Sequence, residues 1–253
     1  DGDIRTLYLD GARHSAMDLD DPDRHVFEYT RYFHLPMLMV DDPDEVENVL
    51  FIGGGGYTGP KDFERKYDVD VDVAELDPAV TRTAKEYFRL EESENLTAHT
   101  EDGRIFLQET DKEYDVIVLD AYQKDQVPIH LTQVEFMELA ESHLDEDGVL
   151  LANVIAAPSG PGSAFYRAQY KTIDEAFAST YSFRTSSWDS VQNIEIAATK
   201  AETNFTEADV ETRNDQRDLG IDLRGEVRNY MDAPNTDDVP LLTEDHAPVD
   251  NLQ

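Results

Sequence analysis

The chain of 253 residues carries 56 acidic against 21 basic side chains, a formal charge of -35, while 40% of its residues are apolar and recur in ordered blocks. That apolar content excludes disorder, and the lack of any Lys/Arg-rich segment that could neutralise phosphates argues against nucleic acid as a partner. Cysteine is absent, which removes disulfides, thiolate metal sites and Cys nucleophiles. The seven scattered His form no i, i+4 pair, so no metal is expected, and no apolar run approaches the roughly 18 residues of a membrane span. Because the acid excess is spread along nearly the whole chain, it reads as an acidic, halophilic surface whose self-repulsion is screened within about 3 Å at 1 M salt. The competing reading is attraction of a cationic ligand such as a polyamine, which a local site would serve as well. Asp1 is not an initiator Met, and the expectation is an excised soluble part of something longer.

In chain order, Arg5–Leu9 and Ala12–Met17 predict a β-hairpin about the pair Asp10-Gly11, which tolerates the positive φ of such turns. Phe27 to Met39 has a helical period with aromatics at 29, 32 and 33. From Val46 the pattern becomes strand, Gly-rich turn, helix, strand. Strands are expected at 47–52, 69–76, 96–100, 114–119 and 149–154, with helices at 61–67, 78–88, 104–109, 132–144 and 163–180. A closing antiparallel pair is expected at 182–187 and 194–199, and a last helix at 207–219. Alternating strands and helices of these lengths imply an α/β fold, a Rossmann-like, seven-stranded, methyltransferase-type doubly wound sheet with a short N-terminal β-hairpin. The expected domains are a hairpin and capping helix over 1–40, a nucleotide-binding catalytic domain over 41–200, and a C-terminal helix and tail over 201–253.

In open α/β sheets ligands sit beyond the carboxyl ends of the strands at the switch point, and four signals fall there. Gly53, Gly54, Gly55 and Gly56 follow the first strand of the series and precede a helix, so the backbone can approach a ligand closely, although such runs also serve as tight turns. Glu75 ends the second strand, 22 positions after Gly53, close to the spacing at which an acidic side chain accepts from ribose hydroxyls. Asp77 reads as an N-cap ahead of Pro78. Asp102 and Gly103 follow the third strand, where the carboxylate could accept from an adenine amino group, cap the next helix, or do both. Asp120 ends the fourth strand over the expected ligand and is the first choice for acid–base work, against the reading of a solvated loop residue.

The segments LYLDGARHSA, FEYTRYFHLPML, VLFIGGGGYTG, VAELDPAV, TEDGRIFL and YDVIVLDAY, with LTEDHAPVD near the end, together resemble the spermidine synthase (polyamine aminopropyltransferase) family over roughly residues 5 to 200. The closing segment is similar to divergent members in which this domain is attached to membrane helices. The resemblance implies transfer of an aminopropyl group from decarboxylated S-adenosylmethionine, a co-substrate and not a prosthetic group, to a diamine or agmatine. It also implies polyamine biosynthesis, a cytoplasmic setting that is membrane-tethered if the parent is fused, and a homodimer. On this reading Glu75 binds ribose, Asp102 and Gly103 the adenine side, and Asp120 is general base or orienting carboxylate. Tyr29 matches a tyrosine placed beside the amine, a core aromatic being the other reading, and His14 stands where the family commonly has a glutamine. Two departures bear on this: Gly56 stands where the family has an acidic residue for the donor's amino group, and Gln123 replaces a second carboxylate three residues after Asp120. Asp125 is the candidate substitute for it. A methyltransferase-like enzyme using intact S-adenosylmethionine and a non-catalytic nucleotide-binding domain are the alternatives.

Overall fold

The structure is a computed structural model that describes residues 3–9, 11–121 and 128–252. The hairpin strands β1 (Ile4–Leu9) and β2 (Ala12–Asp18) pair antiparallel, with Gly11 at φ 81° in the turn where a Cβ would be strained. The expected helix over 27–39 divides into a 3-10 segment, Glu28–His34, and one α-turn, α1 (Pro36–Met39). Pro36 has no N–H to continue the preceding segment and instead opens the next, which accounts for the break.

The alternating unit follows as β3 (Asn48–Ile52), α2 (Thr58–Tyr67), β4 (Asp70–Ala74), α3 (Pro78–Tyr87), β5 (Leu96–His99), α4 (Gly103–Glu109) and β6 (Tyr114–Leu119). It continues as α5 (Val134–Ser142), β7 (Leu144–Ala156), α6 (Ala164–Ala176), β8 (Ser179–Arg184) and β9 (Gln192–Thr199). The tail adds α7 (Glu207–Gln216), α8 (Arg224–Val227) and β10 (Tyr230–Met231). Asp77 caps α3 by accepting from the Ala79 N–H ahead of Pro78, and Asp102 caps α4 by accepting from Arg104 and Ile105.

All seven expected strands join one sheet, and Tyr230–Met231 adds an eighth at its edge, giving the order β10-β8-β9-β7-β6-β3-β4-β5. Pairing from β5 through to β7 is parallel, while β9, β8 and β10 run antiparallel. Two boundaries differ from expectation. Helix α6 stops at Ala176 because Ser179 onward pairs with β9, and β7 begins at Leu144, absorbing the expected 145–148 turn into an irregular start of its ladder with β6.

The sheet buries both faces. Val49, Phe51, Val116, Val118, Val149 and Leu151 pack on one side with the 3-10 segment and α1. Leu50, Ile52, Ile117, Leu119, Leu150 and Ala152 pack on the other with α5 and α6. This two-sided burial explains why the parallel strands read as near-continuous apolar runs. The chain order of strands reverses at the β3–β6 junction, and the carboxyl ends of these strands open there into a crevice. Among the described residues no helix is long and apolar enough to cross a membrane.

Candidate active site

The crevice at the β3–β6 junction is about 1280 Å³. A single small-molecule site usually occupies about 300–1,000 Å³, so there is room for two ligands side by side. Its geometry starts with the glycine loop. Gly53 has φ +99°, and a Cβ there would run into the Asp120 carbonyl, so glycine lets the tips of β3 and β6 come together. The Gly53 N–H donates to the Ala74 carbonyl at 2.9 Å and the Asp120 N–H to Ile52 at 2.9 Å, which ties β4, β3 and β6 together at this end. The hairpin roofs the loop through Ser15, whose Oγ accepts from the Gly56 N–H at 2.7 Å.

Glu75 joins this framework directly. One carboxylate oxygen accepts from the Gly54 N–H at 2.9 Å and the other from the Asp77 N–H at 2.9 Å, holding the side chain at the crevice edge. Asp102 fulfils the expected capping role, and its other carboxylate oxygen meets a histidine. Oδ1 caps α4, and Oδ2 lies 2.7 Å from Nε2 of His130. Gly103 is required for packing, because a Cβ would collide with Ile52.

Asp120 follows the apolar β6 run and sits partly exposed at the crevice floor. Asn153 of β7 donates from Nδ2 to its Oδ1 at 2.7 Å, and the Tyr29 hydroxyl donates to its Oδ2 at 3.3 Å. Burial pushes the carboxyl up to about 6, against the opposing effect of the Asn153 and Tyr29 hydrogen bonds. Burial, followed by the charges of Asp120 and Glu195, holds the Tyr29 hydroxyl well above its ordinary range, so it remains a neutral donor. A carboxylate that changes charge near neutrality and is oriented from two sides can receive or hold a proton on a ligand.

Gly53, Gly54, Gly55, Glu75, Asp102 and Gly103 line the same crevice, and so do His14, Tyr29 and Asp120. Gln123 and Asp125 lie outside the described residues. Tyr57 does not block the floor: its ring is fully buried and its hydroxyl lies 2.8 Å from Thr81 of α3. Sequence reasoning missed Ser15, His130, Asn153, Asn193 and Glu195. Asn153 and Glu195 carried a usable signal, each being a polar side chain inside an otherwise apolar strand, VLLANVIAA and IEIAAT.

Among the described residues, one group has metal-ligand spacing: His25, His34 and Asp62, whose ligand atoms lie within 4.8 Å of one another. Nε2 of His25 and of His34 lie 3.1 and 3.0 Å from Asp62 Oδ2, while Arg65 and Lys66 approach Oδ1. The two cations already offset the buried carboxylate, so the group reads as a charge-balanced link between α2 and the 25–34 segment.

A family model described as the spermine/spermidine synthase domain matches residues 27–157, just over half of the chain. A polyamine aminopropyltransferase of Vibrio vulnificus is 31% identical over 180 residues, 69% of this chain and 58% of that protein. The chain thus spans little more than half the length of that relative. The fold is shared with a probable spermidine synthase from Corynebacterium glutamicum, at a TM-score of 0.72 and 19% identity over 84% of this chain and 79% of that one. It is also shared with a spermidine synthase in complex with the transition-state analogue AdoDATO, at 0.62 and 21% over 78% and 65%. The matched span runs from the segment carrying Tyr29, through the glycine loop and Asp120, to the end of β7, and on this ground the chain belongs to the spermine/spermidine synthase domain family.

Proposed function

We propose that the chain transfers an aminopropyl group from decarboxylated S-adenosylmethionine to a diamine or agmatine. The observation that carries this reading is Asp120, raised to about 6 and oriented by Asn153 and Tyr29 at the switch point, across from the glycine loop and Glu75. Gly53 to Gly55 and Glu75 would take the ribose side of the donor, Asp102 and Gly103 the adenine side. Tyr29, His14, Gln123 and Asp125 would bind the amine.

An alkylamine has a pKa near 10, as a Lys side chain does, and arrives protonated. Asp120 takes one proton from the ammonium, directly or through water. The freed nitrogen lone pair attacks the methylene beside the sulfonium, the C–S bond breaks, and its electron pair stays on sulfur as the neutral thioether methylthioadenosine. The new C–N bond leaves a secondary ammonium. Raising Asp120 from the ordinary carboxylate range to about 6 narrows the mismatch with the amine by about 3 kcal/mol. The sulfonium is already an activated leaving group, so alignment within the crevice supplies much of the rest.

The whole protein is proposed to work as a homodimer in a high-salt cytoplasm, with an acidic surface, without nucleic acid, and with residues 41–200 as its catalytic domain. Incubating the protein in high salt with either the decarboxylated or the intact donor and a panel of amines, with products read by mass spectrometry, tests the activity. An aminopropyl adduct plus methylthioadenosine supports it. Methyl transfer, or tight nucleotide binding without turnover, would replace it with one of the two other readings.

A further inference from the structure

Glu195 lies in β9 between Ile194 and Ile196, is fully buried, and neither of its carboxylate oxygens has a hydrogen-bond partner among the described residues. Buried polar groups are nearly always satisfied, and a buried charge without a partner is costly, so a carboxylate kept here calls for an explanation. In the sheet it stands directly opposite Asn153 of β7 and Phe183 of β8. Cross-strand neighbours share a face, with Cβ atoms roughly 4.5–5.5 Å apart. Asn153 is the residue that holds Asp120, and its Oδ1 also accepts from Asn193, two positions before Glu195 on β9, at 3.0 Å. The carboxylate therefore stands behind the wall of the crevice at Asp120.

Among the described residues, the charged group that acts on it is Asp120. Burial first, and then the charge of Asp120, raises the Glu195 carboxyl well above its usual range. Burial raises the hydroxyls of Tyr29 and Tyr32 on the 3-10 segment that covers this face, and Glu195 adds to both, after Asp120 at Tyr29 and after Glu226 at Tyr32. The Arg31 cation on the same segment is held by Glu226 and the Asp222 carbonyl. Arg184, next to Phe183 on β8, alternates to the opposite face of the sheet. The Asp120 charge is felt at Glu195, and two coupled carboxylates do not both carry charge in a low-dielectric wall unless a cation joins them.

We propose that Glu195, which faces Asn153 across the ladder, is a positioning residue of the amine site, the second carboxylate of a pair with Asp120, and that it gives up its proton when a cationic amine seats at Asp120. This rests on the aminopropyltransferase reading. The pair is then neutral-plus-anionic without amine and doubly anionic with it. A seated amine is held by more charge than Asp120 alone supplies, while the site without amine avoids an uncompensated charge at Glu195.

The test is titration calorimetry of putrescine into the protein saturated with methylthioadenosine near pH 7, in two buffers of different ionisation enthalpy, for the unmodified chain and for Glu195→Gln. The unmodified chain is expected to release a proton on binding. Glu195→Gln is expected to abolish the release, weaken putrescine roughly tenfold or more, leave methylthioadenosine affinity unchanged, and melt at or above the parent temperature because a partnerless buried acid is gone. Unchanged proton release and amine affinity in the variant would overturn the proposal. A variant that melts lower and loses nucleotide and amine binding together would also overturn it, by giving Glu195 a purely structural role. If the unmodified chain turns over but Glu195→Gln keeps its amine KM, this inference alone fails; if the unmodified chain makes no aminopropyl product, the functional reading fails.

Discussion

Asp120 owes its properties to four neighbours that meet only in the folded chain. Its backbone closes on Gly53 and Ile52, its Oδ1 is held by Asn153, and its Oδ2 by Tyr29. Replacing Asp120 with Asn keeps the shape and removes the base. We expect kcat to fall about a hundredfold to ten-thousandfold while methylthioadenosine affinity, measured by calorimetry, stays within about twofold. Because Asp120 must be ionised to accept a proton, kcat/KM of the unmodified enzyme should rise as pH increases through about 6, and this acid limb should disappear from the residual activity of Asp120→Asn. A profile flat from pH 5 to 8 would remove Asp120 from the role of base. The position of Asp120 was legible from sequence, as the first residue after a buried strand. Its hydrogen-bond partners were not, because the 3.3 Å contact with Tyr29 spans 91 residues and that with Asn153 spans 33, and no local pattern reports such pairings.

The elements that frame the site are anchored by a buried polar link between the 25–34 segment, which carries Tyr29, and α2. Burial pushes the Asp62 carboxyl up, but the His25 and His34 imidazoles with Lys66 outweigh it and hold it well below the usual range. Burial lowers His34 below its ordinary value, against the opposing effect of Asp62, and its Nδ1 lies 2.7 Å from the Tyr67 hydroxyl. A depressed carboxylate adds stability above its unfolded pKa of about 4 and loses it as pH falls. A depressed imidazole is protonated first in the unfolded chain, so stability also falls as pH drops below about 6.5. The melting temperature should therefore decline from pH 7 toward pH 4, and Asp62→Ala should destabilise by about 3–5 kcal/mol while flattening part of that decline. An Asp62→Ala variant as stable as its parent would show that the link contributes nothing to stability. At this scale β3 to β9 were readable from apolar runs and turn residues. The 3-10 geometry of 28–34 and the strand Tyr230–Met231 were not, since the first is decided by Pro36 and the second by pairing with β8.

Across the whole molecule, 56 acidic and 21 basic side chains leave a charge of -35 that must be tolerated by the compact state. Screening shortens the reach of this repulsion from about 10 Å at 0.1 M to about 3 Å at 1 M salt. The melting temperature should climb steadily between those concentrations of potassium chloride, and a flat or falling curve would remove salt screening from the account. The sheet order and the switch point follow from the succession of strands and helices, which is why the glycine loop, Glu75, Asp102 and Asp120 could be assigned to one crevice before any coordinates. Glu195 was visible as an acid inside an apolar strand, but its place beside Asn153 was not, because β9 enters antiparallel in a register that no sequence period encodes. The most direct test of the central claim is a crystal structure of the protein with methylthioadenosine and putrescine both bound. The account predicts the purine nucleoside against Gly53 to Gly55 and Glu75, with an amine nitrogen within about 3.2 Å of the Asp120 carboxylate and directed at the thioether sulfur. A nucleoside elsewhere on the sheet, or an amine turned away from Asp120, would contradict it.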